Sequence, residues 1–214
     1  MKGAKILVTG PTGQVADPVA RAFARDNEVW GIARFGDAEK RASLEADGVR
    51  CVPVDLATGD FSDLPEDFDF VLNLAVVKTS DFAHDLRCNG ESTGLLMNHC
   101  RGAKAFLHCS TTGVYQPKGH DLITEDDELG DNHRVMMPTY SIAKISAEVV
   151  ARFAARQFGV PTIITRLNVP YGSNGGWPYY HLVMMKNGVP IPVHEDAPSI
   201  YTPIHEDDII RMIP

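Results

Sequence analysis

Several things are scarce in this 214-residue chain, and each scarcity removes a class of function. No stretch approaches the roughly 18 consecutive apolar residues that a membrane helix needs. No cluster of Lys and Arg stands out against a formal charge of -8, so the electrostatic basis for gripping a nucleic-acid backbone is missing. Cysteines number four, Cys51, Cys88, Cys100 and Cys109, without a CxxC spacing; neither a zinc knuckle nor a dithiol redox pair is supported, and buried reduced thiols are expected. The opening MKGAKILVTG carries an apolar run too short for a secretory leader, which together with the thiols predicts a cytoplasmic protein. Repeats and low-complexity runs are lacking as well, so one folded core is expected over most of the length.

Metal and nucleophile signatures are equally thin. The HED triplets at 194–196 and 205–207 lack the helical HExxH spacing, the EDDE run at 125–128 reads as a solvated loop, and Ser141 has no GxSxG elbow around it. No metal site is expected.

What is present is a repeating alternation of short β-rich apolar runs and longer helical patterns, the mark of β-α-β units in a parallel sheet covered on both faces. Strands are predicted at 5–9, 28–33, 49–54, 68–75, 104–110 and 162–167, and helices near 14–25, 37–46, 81–101 and 140–158. In the last helix Ile145, Val149, Phe153 and Ala154 fall on one stripe, with Gly159 and Pro161 as stop signals. Residues 112–138, rich in Gly, Pro, Asp and His, read as a long loop, and loops of that length in a compact domain are usually functional. Beyond 168 the pattern loosens. There a short helix through His181 to Lys186 and strand-like IPVH and SIYTPIH suggest a second, smaller lobe.

The first strand runs straight into TGPTGQVA, placing Gly10, Gly13 and Ala16 three apart at a strand-to-helix turn. Glycine lets backbone N–H groups approach a pyrophosphate, and the adjoining helix N-terminus offers it partial positive charge. The bland reading is a tight turn that needs glycine. Pro18, about one turn into the helix, is expected to distort that turn. At the end of the second strand stands Arg34 where an acid would bind the ribose of NAD. A guanidinium suits a 2′-phosphate, so NADP is favoured with NAD as the alternative, against the bland reading of a solvated surface Arg. Asp55, after the third strand, could accept from an adenine amino group or simply close a turn.

PTYSIAK at 138–144 puts Tyr140 and Lys144 four apart on one helix face. Such pairs occur for packing reasons alone, but a phenol with an ordinary pKa near 10 needs nearby positive charge to serve as a base at neutral pH. Lys144 could supply it.

Taken together these motifs resemble the extended short-chain dehydrogenase/reductase family, the NAD(P)-dependent epimerases and dehydratases, over essentially the whole chain. TGPTGQVA resembles TGxxGxxG, and the resemblance implies cofactor contacts from Gly10, Thr12, Gly13, Gln14 and Val15. VDL at 54–56 resembles the adenine-contacting segment, with Asp55 and Leu56. NLAVVK at 73–78 is similar to the strand-end stretch along the cofactor, giving Leu74, Ala75, Val76 and Lys78. NGESTGLLM is similar to NxxGTxxLL and adds Asn89. CSTTGVY resembles SSxxVYG and implies a catalytic Thr111, while TYSIAK supplies Tyr140 and Lys144. RLNVPYG resembles RxxNxYGP, with Leu167 and Val169 beside the cofactor, and IHEDDI resembles IHVDDV.

The resemblance implies an α/β chain: a Rossmann-type doubly wound parallel sheet over 1–168, then the start of a small C-terminal substrate lobe over 169–214, of which only part is expected to be present. It implies hydride transfer between nicotinamide and a secondary alcohol or ketone, Tyr140 as general acid/base, Thr111 bonding the substrate oxygen, and Lys144 also holding the nicotinamide ribose. A homodimer through helices near 81–101 and 140–158 is expected.

Departures from the pattern bear on substrate. Tyr201 stands where sugar-nucleotide enzymes commonly carry an Arg for the diphosphate. Asn168 is shifted, leaving Val169 at the expected Asn position, and Thr112 replaces the acid that dehydratases place after the catalytic Ser or Thr. The first two changes weaken a nucleotide-sugar substrate, which stays as an alternative beside a cofactor-binding regulator or scaffold without turnover, and Thr112 argues against elimination chemistry. Thr112, Tyr171, Trp177 and Tyr201 are the substrate-contact candidates for a small molecule.

Overall fold

The structure is a computed structural model that describes residues 2–192 and 202–213. Six strands, β1 (Lys5–Thr9), β2 (Glu28–Ala33), β3 (Val49–Pro53), β4 (Phe70–Asn73), β5 (Ala105–Thr111) and β6 (Thr162–Leu167), form one sheet in the order β3-β2-β1-β4-β5-β6. Every pairing is parallel. The strand order reverses between β1 and β4, and it is there, beyond the carboxyl ends of the strands, that an open α/β sheet leaves a crevice. All six predicted strands are present, three with the predicted bounds and three with ends shifted by one or two residues.

Alternation along β1 sorts the two layers. Ile6 and Val8 point to one face, where they pack with Val19, Ala20 and Phe23 of α1 (Ala16–Ala24) and Leu44 of α2 (Ala38–Ala46). Leu7 points to the other, with Phe106, Leu96 and Met97 of α4 (Ser92–His99), and Ala151 and Ala154 of α5 (Tyr140–Phe158). Ile6, Leu7 and Val8 are all fully buried, which is why this strand reads as an unbroken apolar run and not as an alternation. The four cysteines are buried and unpaired, and among the described residues no helix is long and apolar enough to cross a membrane.

Three local expectations are corrected. The first helix begins at Ala16, so Pro18 lies not a turn inside it but within its first turn, where the missing N–H would have had no helical partner anyway; the helix itself forms, as expected. The long helix expected at 81–101 is three pieces, α3 (Phe82–Leu86), a π-helical turn over Arg87–Glu91, and α4. In α5 the inward face is Ala143, Ala147, Ala151 and Ala154, while Val149 and Phe153 of the predicted stripe are each 62% exposed. Small side chains let the helix approach the sheet closely, and the bulky ones are left on the outer surface. Its end is as expected, with Gly159 left-handed at φ 71°.

After β6 come β7 (Val169–Tyr171), α6 (Trp177–Lys186), β8 (Pro203–His205) and α7 (Glu206–Met212), with β7 and β8 in a separate parallel pair. Ile209 of α7 returns to the apolar cluster of α1, so this region is tied to the main body. The IPVH strand reading lies partly outside the described residues.

One buried ion pair fastens α5 to β5 and β6. Glu148, 2% exposed, accepts from Ser110 Oγ at 2.6 Å and from Arg166 at 3.0 and 2.8 Å. Arg166 also donates to the Tyr115 hydroxyl and the Glu125 carbonyl, at 2.8 and 3.0 Å, gathering part of the 112–138 loop. Burial alone would raise the Glu148 pKa, but hydrogen bonds from Arg166 and Ser110 outweigh it and hold the carboxyl below the ordinary glutamate range. Glu148→Ala, which strands the Arg166 charge, is expected to cost about 3–5 kcal/mol in urea denaturation. Because the folded pKa lies below the unfolded one, the stabilisation is complete above the ordinary glutamate range and is lost as pH falls through the folded value. Glu148→Gln should therefore lose less stability than wild type between neutral and strongly acidic pH. Equal acid sensitivity of the two would exclude this pair as a source of it.

Candidate active site

A cleft of about 510 Å³ opens at the carboxyl ends of the strands, beside the point where their order reverses. Its floor begins at Gly10, whose N–H donates to the Ile32 carbonyl at 2.8 Å and whose carbonyl accepts from Gly13 N at 2.9 Å. Gly10 has φ 67°, and a Cβ there would lie 3.0 Å from the Ala75 Cα. Only glycine fits both the backbone angle and the approach. This tight, bare-backbone turn ahead of α1 is the cradle a dinucleotide phosphate requires, so the residues present fit that cofactor.

The strand ends are held level by a buried polar chain. Thr9 Oγ1 donates to Asn73 Oδ1 at 2.8 Å and accepts from Ala75 N at 2.9 Å, and Asn73 Nδ2 reaches Thr93 Oγ1 at 3.0 Å and His108 Nδ1 at 3.1 Å. Burial drives the His108 pKa down to about 3, which keeps this imidazole neutral beside a buried lysine.

At the other end, β5 delivers Thr111 and the first turn of α5 delivers Tyr140 and Lys144, all on the cleft wall. Lys144, 3% exposed, donates from Nζ to the Cys109 carbonyl at 2.8 Å. Its pKa is lowered, chiefly by burial. Burial raises the Tyr140 phenol, and a hydrogen bond from Thr111 partly offsets that. Two further groups frame the tyrosine ring: the Lys78 ammonium lies 5.9 Å from its centroid, and His133 meets it edge-on at 5.2 Å. His133 occupies the space above Gly113, where a Cβ would fall 2.3 Å from the imidazole Cε1.

Most of the predicted residues meet in this one cleft: Gly10, Thr12, Gly13, Gln14 and Val15 from the turn, Arg34 from the end of β2, Asp55 and Leu56 after β3, Leu74, Ala75, Val76 and Lys78 after β4, and Leu167 from β6. Asp55 combines both of its readings, since it lines the cleft and also accepts from Ala57 N at 3.0 Å to close a turn. Other predicted residues are not on the wall. Asn89 is buried behind it, bonded to both backbone groups of Val77 at 3.0 and 2.8 Å. Val169 turns away while Asn168 and Pro170 on either side line the cleft. Thr112 opens a short 3-10 turn, Tyr171 packs its ring on His205, and Trp177 sits with Tyr180 and His181 at the start of α6. Tyr201 lies outside the described residues.

Sequence reasoning missed Phe35, Gly36, His84, Cys88 and Ser110, which also line the cleft. Phe35 and Gly36 come directly after Arg34, so the rule that strand ends face the cleft could have found them. His84 and Cys88, whose Sγ and Nε2 are 3.5 Å apart, are four apart and could have been paired by helical spacing.

Comparison with known proteins places this geometry in context. A trifunctional UDP-glucose 4,6-dehydratase/UDP-4-keto-6-deoxy-D-glucose 3,5-epimerase/UDP-4-keto-L-rhamnose-reductase of Arabidopsis thaliana is 26% identical over 97% of this chain, which spans only 34% of that protein. The dTDP-4-dehydro-6-deoxy-D-allose reductase of Streptomyces bikiniensis is 26% identical over 98% of the chain and 71% of its own length. Among solved structures, a UDP-glucuronic acid 4-epimerase from Bacillus cereus in complex with NAD matches with TM-score 0.80 and 26% identity, covering 97% of this chain and 70% of that one. The sequence pattern of the NAD dependent epimerase/dehydratase family matches residues 6–213, and the chain belongs to that family.

Proposed function

We propose that the protein is an NAD(P)-dependent oxidoreductase or epimerase acting on a secondary alcohol or ketone, with Tyr140 as general acid/base. The observation that carries this reading is the meeting of Thr111, Tyr140 and Lys144 on the wall of a cleft whose floor is the Gly10 turn. When bound, the dinucleotide supplies the hydride donor or acceptor. Tyr140 carries the proton to or from the substrate oxygen, and the Thr111 hydroxyl bonds the same oxygen as the proton moves. Lys144 contributes fixed positive charge from a buried position and is the residue suited to the nicotinamide ribose. With the phenol raised by burial, the resting state holds the proton, which suits ketone reduction.

NADP is the favoured cofactor, supported by the Arg34 guanidinium on the cleft wall at the end of β2; NAD, which the Bacillus cereus structure contains, is the alternative. Nucleotide-linked sugars are a second substrate reading, favoured by the names of the relatives in Arabidopsis and Streptomyces. The residues from 169 onward would border the substrate. A homodimer is supported by the apolar surface that Val149 and Phe153 of α5 and Leu95 of α4 leave exposed, and the unpaired thiols support a reducing, cytoplasmic setting.

Tyr140→Phe is expected to lower turnover of NADPH with a carbonyl panel, nucleotide-linked ketosugars included, by about 10² to 10⁴ while leaving cofactor binding intact. Cofactor binding without any Tyr140-dependent turnover would favour a regulator instead. The reduction rate should hold through neutral pH and decline as pH rises past the phenol's pKa; oxidation of the alcohol should show the opposite trend. For Arg34→Ala, titration calorimetry should find NADPH weakened about tenfold or more, the loss of a charge-assisted contact, with NADH nearly unchanged; a wild type that prefers NADH would defeat the NADP assignment. Phe153→Glu should convert the dimer to a monomer by light scattering, and a wild type that is already monomeric would rule the dimer out.

A further inference from the structure

Asp85 is a fully buried carboxylate that the chemistry above leaves unused. Among the described residues it has no ion-pair partner, and its contacts are hydrogen bonds. Thr79 donates to it from both N, at 3.0 and 2.9 Å, and Oγ1, at 2.8 Å; Ser80 N donates at 3.3 Å. The remaining donor is Thr139 Oγ1 at 2.6 Å, from 54 residues away along the chain. Burial would raise the pKa, but the bonds from Thr139, Thr79 and Ser80 overcome it and the carboxyl is held low. Asp85 is therefore an anion at neutral pH.

Two features give this contact direction. Thr79 and Ser80 continue the loop that puts Val76, Val77 and Lys78 on the cleft wall, and Asn89, one turn beyond Asp85, grips the same loop by both backbone groups of Val77. Thr139 is the N-cap residue of α5 and immediately precedes Tyr140. A threonine there ordinarily spends its oxygen on the helix's own N–H groups, yet this one makes no such cap and donates its proton to Asp85 instead.

We propose that Asp85 and Thr139 are positioning residues that join the cofactor-side loop to the helix start, so that the loop's seating and the presentation of Tyr140 to Thr111 are set together. The inference rests on the functional reading above. It says that the Thr139 hydroxyl acts on Tyr140 through the backbone of the helix N-terminus, without touching substrate or cofactor.

The test is made on the full chain by tracking the Tyr140 phenol with ¹³C-labelled tyrosine NMR, its signal identified by its loss in Tyr140→Phe. In Thr139→Val, nearly isosteric but without the donor, the Thr111 bond that favours the phenolate should weaken and the phenol's acid dissociation constant should drop by about tenfold, one pH unit in its titration. Thr139→Ser keeps the hydroxyl and should restore the wild-type titration. With a carbonyl substrate, Thr139→Val should lower kcat about tenfold with the dissociation constant for the dinucleotide within about twofold, whereas a purely structural threonine would lower only thermal stability. Thr139→Ala is the second variant if the valine does not fold. An unchanged Tyr140 titration in either folded variant overturns the proposal. If wild type turns over no substrate at all, the functional reading fails while the titration still decides the positioning role.

Discussion

The close passage of Gly10 beside Ala75 is the constraint on which the cleft depends. The chain leaves β1 at φ 67° with no side chain to hold it off the segment after β4, and that close approach, on top of the β1–β4 pairing, brings the start of α1 and the loop after β4 to one crevice. A parallel sheet supplies the crevice wherever its strand order reverses, but a side chain at this turn would fill it with carbon and push the helix N-terminus away. The polar chain from Thr9 through Asn73 to Thr93 and His108 keeps the two strand ends in register beneath it. Backbone geometry and buried hydrogen bonding thus prepare an anion seat without a single charged residue in the Gly10 turn.

The other half of the site depends on small side chains. The alanine face of α5 lets the helix rest against the sheet, and the Glu148–Arg166 pair with Ser110 fixes it along its length. Tyr140 and Lys144 then reach the wall that Thr111 already occupies. Burial that close has an electrostatic result: both the phenol and the ammonium are pushed toward their neutral forms, as low-dielectric surroundings dictate.

Much of this was legible beforehand because it obeys local rules. Six apolar runs became six parallel strands, and the Gly10 turn and the Tyr140–Lys144 spacing came together at the carboxyl end of the sheet. What failed were inferences needing the third dimension. Periodicity correctly found α5 but chose Val149 and Phe153 as its inner face, since pattern alone cannot tell a face that meets the sheet from an apolar one left outward. Asn89 matched a motif yet acts one layer behind the wall, holding Val77. Val169 is off the cleft lining while Asn168 and Pro170 are on it, the alternation of sides an extended strand imposes. Trp177 packs with Tyr180 and His181 and is off the cleft lining, because rings gather wherever a partner is near.

The π-helical turn over Arg87–Glu91 carries a further consequence. One residue advances an α-helix by about 100°, so the extra residue of a wide turn acts as a phase adjuster between α3 on one side and α4 on the other. Upstream, Asp85 faces the loop after β4; downstream, Leu96 and Met97 face the core. A regular helix through the same residues could satisfy one of these orientations only. The irregular turn lets a single run of chain serve the cleft rim and the hydrophobic interior at once, and deleting its one extra residue would leave a regular helix with both faces still in phase.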